Sequence, residues 1–457
     1  MREEIEARPA VILAIGLIIG LIGVAYPISL LFLIGFLLVI RPMQGRLCLV
    51  CAFAVGLAVA PSAVLHSIER SPVHGVAKVS TVPRISHDVQ TCLIHWKGRT
   101  LFLVTVPSSA ISLGDEVEIS AIETQLSAKQ EASLEFQSVE GAVSASNIRI
   151  VRHGSFLVQM ASRWRRSFVD FFDRCLPEKE AGLTDALCFN LGGMLDEPTR
   201  STLQNAGLIH ILSASGLQIF VFGFLINSVL RFFPVTRPVQ IAILASILVV
   251  YCLASGLNPA ILRASFMTVV GLSAYLFRRD PDALSALALS GILYLIWNPS
   301  AIYLQGFQIS FVSVACVALF FRPERDNRRD RMNVLVRSTN DFLRLSIVLL
   351  MAATPLAAYN YGSIPLESTF SNLLVGWSLP LLVGAAFLSH GMSVVLPEVG
   401  KEIASNFISP MVHWIESVLS WTGGGFGVLR VDPFSGYWLV AFYFAWAMTY
   451  RRRVVQP

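Results

Sequence analysis

The sequence predicts a polytopic α-helical membrane protein of about ten to twelve membrane segments, interrupted by one small β-barrel of the OB type. Three observations predict it. Of the 457 residues, 54% are hydrophobic and 14% are charged, against about 25% charged in an ordinary soluble chain. The apolar residues are grouped in blocks of about 15–25, long enough to cross a bilayer. One long polar stretch replaces those blocks with the alternation of half-buried strands. Such a composition excludes a soluble enzyme, a disordered chain and a secreted disulfide scaffold.

The apolar blocks come first. Three open the chain, at 11–26, 29–40 and 47–65, and define an N-terminal region of residues 1–65. After the polar stretch come 208–230, 239–253, 261–277, 284–297, 302–321 and 345–359. A long apolar region at 370–396 contains Pro380, and a last block lies at 437–450. Of the 35 basic residues, 30 are arginines, and many stand between blocks. Cytoplasmic loops concentrate Lys and Arg. The loops at 41–46, 231–237, 278–279 and 322–344 and the tail at 451–453 all carry arginine, whereas the turns at 258–260, 298–300 and 360–363 carry no Lys or Arg. This alternation predicts both termini in the cytoplasm and residues 66–206 outside. Parity then requires 370–396 to make two short passes or a re-entrant loop. Cys48 and Cys51 form a C-x-x-C within a block, which reads as packing, since a buried thiol behaves as a small hydrophobe.

Residues 66–155 form the insert. Strands are predicted at 75–82, 91–96, 100–106, 116–122 and 142–151, with a hairpin turn at Lys97-Gly98-Arg99. Five short strands suit an OB-like barrel. Eight Lys/Arg against nine Asp/Glu leave it at about −1, and phosphate binding wants a basic surface. His95, Trp96, Lys97 and Arg99 form a set that can stack on bases and pair with phosphates. A barrel serving as a structural cap is the alternative, and composition does not choose between them.

Residues 156–206 read as an amphipathic interfacial helix and linker. Leu157, Met160, Ala161, Trp164, Phe168, Phe171 and Phe172 recur at helical spacing, with Arg163, Arg165 and Arg166 off the stripe. Residues 404–421 have a similar stripe in Phe407, Met411, Trp414, Ile415 and Val418.

Residues 207–457 hold the remaining blocks, and polar groups inside them mark a pathway or a packed polar contact. Asn205, His210, Ser213, Ser215, Gly216 and Gln218 interrupt one helix, and His210 and Gln218 share a face. Arg263 follows a turn at 255–260. Gln305, Gln308 and Ser310 interrupt a third block, and Thr354, Asn360, Glu367, Ser371 and Asn372 form a fourth cluster. No metal-ligand cluster, zinc-protease motif or nucleotide loop is present in the sequence. No catalytic residue, metal or cofactor is therefore predicted. The chain reads as a conduit or binding protein, not an enzyme.

These clusters, in this order, resemble the ComEC family of competence proteins. The segment Gly207-Leu208-Ile209-His210-Ile211-Leu212-Ser213-Ala214-Ser215-Gly216-Leu217-Gln218-Ile219 is similar to the family pattern G-x-x-H-L-L-A-I-S-G-L-H-V. The likeness continues through Leu262-Arg263-Ala264, Arg278-Arg279, Asp282-Ala283-Leu284, Asn298-Pro299 and Gly306-Phe307-Gln308-Ile309-Ser310-Phe311. It ends at Pro355 and Asn372-Leu373-Leu374, covering about 181–396. Gln218 departs from the pattern, standing where the family has a second histidine.

The resemblance implies DNA uptake, with one strand translocated across the cytoplasmic membrane during natural transformation. It implies a path lined by His210, Ser213, Ser215, Gly216, Gln218, Arg263, Gln308 and Asn372. Trp96, Lys97 and Arg99 are the contacts it offers to single-stranded DNA in the insert. Implied partners are an extracytoplasmic DNA receptor, a separate nuclease and a cytoplasmic motor, with a homo-oligomer left open. Many members continue into a metallo-β-lactamase-like domain that this sequence does not contain, so the expected form is a short one. The rival expectation is a diverged member that handles lipid or an envelope polymer without DNA uptake.

Overall fold

The computed structural model describes residues 9–25, 49–50, 52, 72–81, 83–86, 89–105, 111–124, 141–145, 148–191, 195, 197–208, 211, 216–276, 282–321, 331–365, 368–422, 428–432, 434–436, 438–439, 441–443 and 445–446. The block at 29–40 and most of that at 47–65 lie outside the described residues. The chain divides into two units. One comprises 1–60, 281–369 and 426–457; the other comprises 61–280 and 370–425.

The second unit begins with a curled sheet of seven strands: β1 (Pro72–Val79), β2 (Arg84–Ser86), β3 (Val89–Trp96), β4 (Arg99–Thr105), β5 (Glu116–Thr124), β6 (Gly141–Ala145) and β7 (Arg149–Arg152). The pairings form a circuit, β1–β3–β4–β6–β5–β1, in which β4 and β6 run parallel. Two seams of the circuit, β1–β3 and β5–β6, are only two residue pairs long. Period-two alternation sends Val73, Ala77, Val79, Ile94, Leu101, Leu103, Val117, Ile119 and Val143 into one apolar core. Lys97 and Gly98 both have positive φ, 48° and 84°, and Trp96 pairs with Arg99. This is the two-residue hairpin turn whose twist matches its strands. The strand expected at 142–151 is divided: β6 pairs with β4 and the end of β5, and β7 with the beginning of β5.

The barrel hands over to the helices at a buried carboxylate. Asp115 accepts the backbone N–H groups of Ser112 and Gly154, each at 2.7 Å. Helix α2 follows, after α1 (Pro9–Ala25) of the other unit. It runs Phe156–Cys175 and precedes α3 (Glu178–Phe189), α4 (Glu197–Asn205), α5 (Gly216–Leu230), α6 (Arg237–Ala254) and α7 (Pro259–Leu276). The stripe that the sequence assigns to a membrane interface is instead used for packing within the protein. Phe168 and Phe172 of α2 are fully buried, and Trp164 stacks on Phe222 at 5.7 Å and meets Phe189 edge-on at 5.3 Å. Only the start of the stripe, Leu157 and Met160, is exposed, as is Phe156 before it. Aromatic rings bury too much apolar area to be left at a surface when α3, α5 and α6 offer partners.

The same unit ends in α11 (Ser368–Gly376), α12 (Ser378–Val395), α13 (Pro397–Ile403), a π-helical turn (Ala404–Ile408) and α14 (Ser409–Thr422). The two short passes expected in 370–396 are not formed. Trp377 keeps right-handed helical angles, and Leu374–Val395 is a helix of 22 residues. Pro380 sits in the first turn of α12, where its missing N–H has no intrahelical partner to lose. The chain turns back at Leu396, and α13 lies tightly on α12. A Cβ at Gly400 would come within 2.7 Å of Ser393 Cβ, and Ser389 Oγ donates to the Gly400 carbonyl at 2.7 Å. The returning arm buries Ala404, Ile408, Val412, Ile415 and Leu419. Phe407 and Trp414 of the expected stripe are exposed, because the π turn adds a residue and rotates the buried face.

The first unit holds α1, α8 (Ala283–Trp297), a 3-10 turn (Pro299–Tyr303), α9 (Gln305–Phe320) and α10 (Arg331–Tyr361). Leu17, Ala52, Leu295, Ala301, Ile302 and Phe307 form its core, and Phe307 stacks on Phe311 at 4.1 Å. Helix α10 carries Pro355 and extends back to Arg331, into residues expected to form a loop. Strand β8 (Ser363–Pro365) pairs antiparallel with β9 (Val428–Arg430). The chain therefore leaves and re-enters this unit on neighbouring strands.

Among the described residues, Arg237–Ala254 and Leu374–Val395 are by length and composition long and apolar enough to cross a membrane, and six further apolar helices are shorter. Their outer faces are apolar as well. Phe220 and Phe224 of α5, Val249 of α6, Trp297 of α8 and Ile347 of α10 are exposed, the all-round apolar character that suits lipid.

Candidate functional site

The site is built where α3, α5, α6 and α7 converge in the helical core of the second unit. Helix α3 starts after Pro177 with Glu178 and Glu180 in its first turn and ends at Asn190 in a left-handed conformation. An α-helix leaves its last four carbonyls without internal partners. Buried in an apolar core, they need donors from elsewhere. Two neighbouring helices supply them. Gln218 Nε2 of α5 donates to the Leu187 carbonyl, and the Tyr251 hydroxyl of α6 donates to the Cys188 carbonyl. Tyr251 is fully buried, and Ser255 Oγ donates to its carbonyl at 2.7 Å.

The turn from α6 to α7 places the arginine. Gly256 and Leu257 follow one another with positive φ, 82° and 55°, a conformation that costs a non-glycine residue energy and marks a held turn. Asn258 Oδ1 then accepts the Ala260 N–H at 2.9 Å, capping α7. Arg263 follows in the second turn, 7% exposed. Its Nη2 lies 3.6 Å from the position a Cβ would take on Gly216, the first residue of α5. Its Nη1 is 3.8 Å from Met267 Sδ. A guanidinium and the N-terminal end of α5 thus share one place, and both are positive. Such a place favours an anion.

The residues predicted for a path are brought together only in part. Gly216 and Arg263 meet here, while Gln218, two residues further along α5, turns to α3. Gln218 is 5% exposed and caps α3 through its amide, while its Oε1 has no hydrogen-bond partner among the described residues. Asn372 lies half-buried on α11 of the same unit. Gln308 belongs to the other unit, where its Nε2 donates to the Ile302 carbonyl at 3.0 Å. His210, Ser213 and Ser215 lie outside the described residues. In the barrel, Trp96 is 8% exposed and part of the apolar core, with Lys97 Nζ 4.7 Å from its ring centre. The ring predicted to stack on bases is held inside, because its strand position points inward. Lys97 and Arg99 remain at the surface or partly so.

Helix α3 carries polar groups that the sequence does not single out, since residues 156–206 read as a linker. Asp185 is 1% exposed. Burial pushes its pKa up to about 8, with the charges of Asp173 and Asp170 adding to the effect. Asp173 is raised by partial burial, then by Asp170 and Glu178. Buried Glu180 lies 3.6 Å from the exposed His413 ring of α14. The Ser409 carbonyl and then Glu180 raise the pKa of that histidine. Pro177 followed by two acids, and Asn190 twelve to thirteen residues on, are the signals that mark α3 as a helix. Nothing in its composition marks it as central.

The family model described as "Competence protein" matches residues 187–454, which takes in α5, α6 and α7 entire. The curated protein "ComE operon protein 3" of Bacillus subtilis (strain 168) is 22% identical over 432 residues, covering 88% of this chain and 53% of that protein. The chain thus spans about half the length of that relative. No solved structure matches the chain. With more than half of its residues matched, and with Gln218, Tyr251 and Arg263 inside the matched region, this chain belongs to the competence protein family.

Proposed function

We propose that the chain takes part in DNA uptake as the membrane conduit through which a single strand of DNA passes into the cytoplasm during natural transformation. The observation that carries the reading is Arg263, buried against the start of α5 in a member of a family named for competence. A strand crossing a low-dielectric slab must exchange the hydration of its phosphates for fixed donors, and those donors must be few enough that the strand is not trapped. One guanidinium at a helix N-terminus is such a donor set. In this reading both termini are cytoplasmic, the insert is an OB-like barrel on the outer side, and Lys97 and Arg99 are its phosphate contacts. The chain performs no hydrolysis. The receptor, the nuclease and the motor are other proteins or other parts of the machinery.

The near-neutral barrel, with Trp96 in its core, favours a second reading, a member that handles an envelope lipid or polymer. Complementation separates the two. Arg263→Ala and Arg263→Lys are placed in a naturally transformable host lacking its own relative, and transformation frequency is read beside the amount of protein in the membrane. Arg263→Ala lowers transformation by at least about a hundredfold, the loss of roughly 3 kcal/mol of phosphate stabilisation, at an unchanged protein level. Arg263→Lys retains part of the activity. Wild-type frequency with Arg263→Ala ends the conduit assignment, and failure of the unaltered chain to complement supports the second reading.

A further inference from the structure

The core site leaves one buried acid unused. Asp185 stands two residues before Leu187 on α3, facing away from water. Among the described residues its Oδ1 has no hydrogen-bond partner, and the charges that reach it are acidic, Asp173 and Asp170 of α2. The other ionisable groups on the elements packed around α3 are engaged differently. On α14, His413 lies against Glu180 of α3, with Glu416 beside it. On α12, His390 lies edge-on to Phe168. Tyr251 of α6 is bonded to the Cys188 carbonyl. On α2, Arg165 is desolvated and lies beside the like charge of Arg166, and Arg174 acts with Lys401 of α13 on Cys175. Glu178 and Lys179 are exposed at the start of α3. None of these provides Asp185 with a counter-charge.

An ionised carboxylate without a partner in such a place is costly, and protonation is the cheapest relief. We propose that Asp185 is a proton-binding site of the helical core, reached from solvent through Asp170 and Asp173 on the flank of α2. Asp170 and Asp173 are both exposed on α2, and Asp185 is fully enclosed. A proton passes from hydronium to a surface carboxylate and on to the enclosed one, leaving water behind; only O–H bonds form and break. The site bears on the constellation beside it. The C-terminal end of α3 is the negative end of its dipole. Loss of the proton places a second negative charge within a turn of the carbonyls that Gln218 and Tyr251 hold. Proton occupancy thus biases how firmly α3 is capped. The inference rests on α3 and its neighbours and stands whether or not the transported molecule is DNA.

Infrared spectroscopy of the whole chain in lipid nanodiscs, titrated with base, tests it. The expected result is a carbonyl band of a protonated, poorly solvated carboxylic acid that is present in mildly acidic buffer. It should disappear with a midpoint at about 8 and be missing from Asp185→Asn. Asp173→Asn removes a repelling charge and moves the midpoint down. This variant keeps Asp185 and decides the matter even if Asp185→Asn accumulates poorly. A band that survives Asp185→Asn, no such band in mildly acidic buffer, or a midpoint unmoved by Asp173→Asn overturns the proposal.

Discussion

The barrel and the helical core of the second unit solve opposite problems. In the barrel, every side chain that β4 and β6 bury is apolar except Thr105, and the charged residues Lys78, Lys97, Glu118 and Arg149 face outward. In the helical core, an arginine, a glutamine, an aspartate, a glutamate and a histidine are all buried. Buried polar groups are costly in either place. The barrel offsets the cost by satisfying its buried carboxylate, Asp115, with two backbone N–H groups, so its interior serves stability. The core accepts it at one constellation, which is where a physical reading looks for function.

The comparison breaks most visibly at Trp96. If the ring belongs to the barrel's interior, Trp96→Ala opens a cavity and costs about 3–5 kcal/mol. Hydrogen exchange on the whole chain should then show lost protection across β1, β3 and β4, with α5 and α6 unchanged. If the ring is available to a DNA strand instead, protection stays as in the wild type while DNA affinity falls.

A smaller effect is expected in the core. Gln218→Leu fits the apolar surroundings but leaves the Leu187 carbonyl without its donor, at about 1–3 kcal/mol. Gln218→His keeps a ring N–H for that carbonyl and retains most of the stability. Thermal unfolding of the two variants in one detergent reads the difference. Equal stability of Gln218→Leu and wild type would remove the cap and return Gln218 to the list of path residues. Asp185→Asn moves the other way. Burial lifts its carboxyl from the ordinary 3.8 to about 8 in the folded state. The folded state therefore binds the proton more tightly, and stability falls as pH rises between those values. The asparagine variant lacks this loss, so its advantage over wild type grows from mildly acidic to mildly alkaline buffer and then levels off.

How far the sequence could be read follows from the same contrast. Period-two alternation and the Lys97-Gly98 turn placed four of the five expected strands close to where β1, β3, β4 and β5 lie. These signals are local, and a strand's inward face is set by parity. The apolar blocks became α5 to α10 for a similar reason. The core was less legible. Its central helix, α3, reads EKEAGLTDALCF, a sequence neither apolar nor amphipathic enough to announce burial. The partners that make it central, Gln218 and Tyr251, come from 31 and 63 residues away. Arg263 was legible because an arginine in an apolar helix is conspicuous. Asp185 was not, because an aspartate between two blocks resembles a linker. The single helix at Leu374–Val395 was obscured by Pro380, whose position in a first turn removes its power to break a helix.

The smallest expected effect lies at Lys97, where stability and function separate. Its ammonium stands over the Trp96 ring at 4.7 Å on an exposed turn, an interaction worth about 0.5–1 kcal/mol at such sites. Lys97→Ala also removes a side chain from a residue held at positive φ, which a smaller residue does not relieve, so the net change in barrel stability stays within about 1 kcal/mol. Binding of single-stranded DNA reports on a different quantity. Each phosphate contact contributes roughly 0.7 to the slope of log affinity against log salt for a single strand. If the turn touches the strand, Lys97→Ala lowers that slope by about this amount and weakens binding alike for all sequences. An unchanged slope, with the barrel still folded, makes the hairpin a structural turn and shifts the search for the outer DNA contact to other exposed basic residues of the barrel, such as Arg149 and Arg152 on β7.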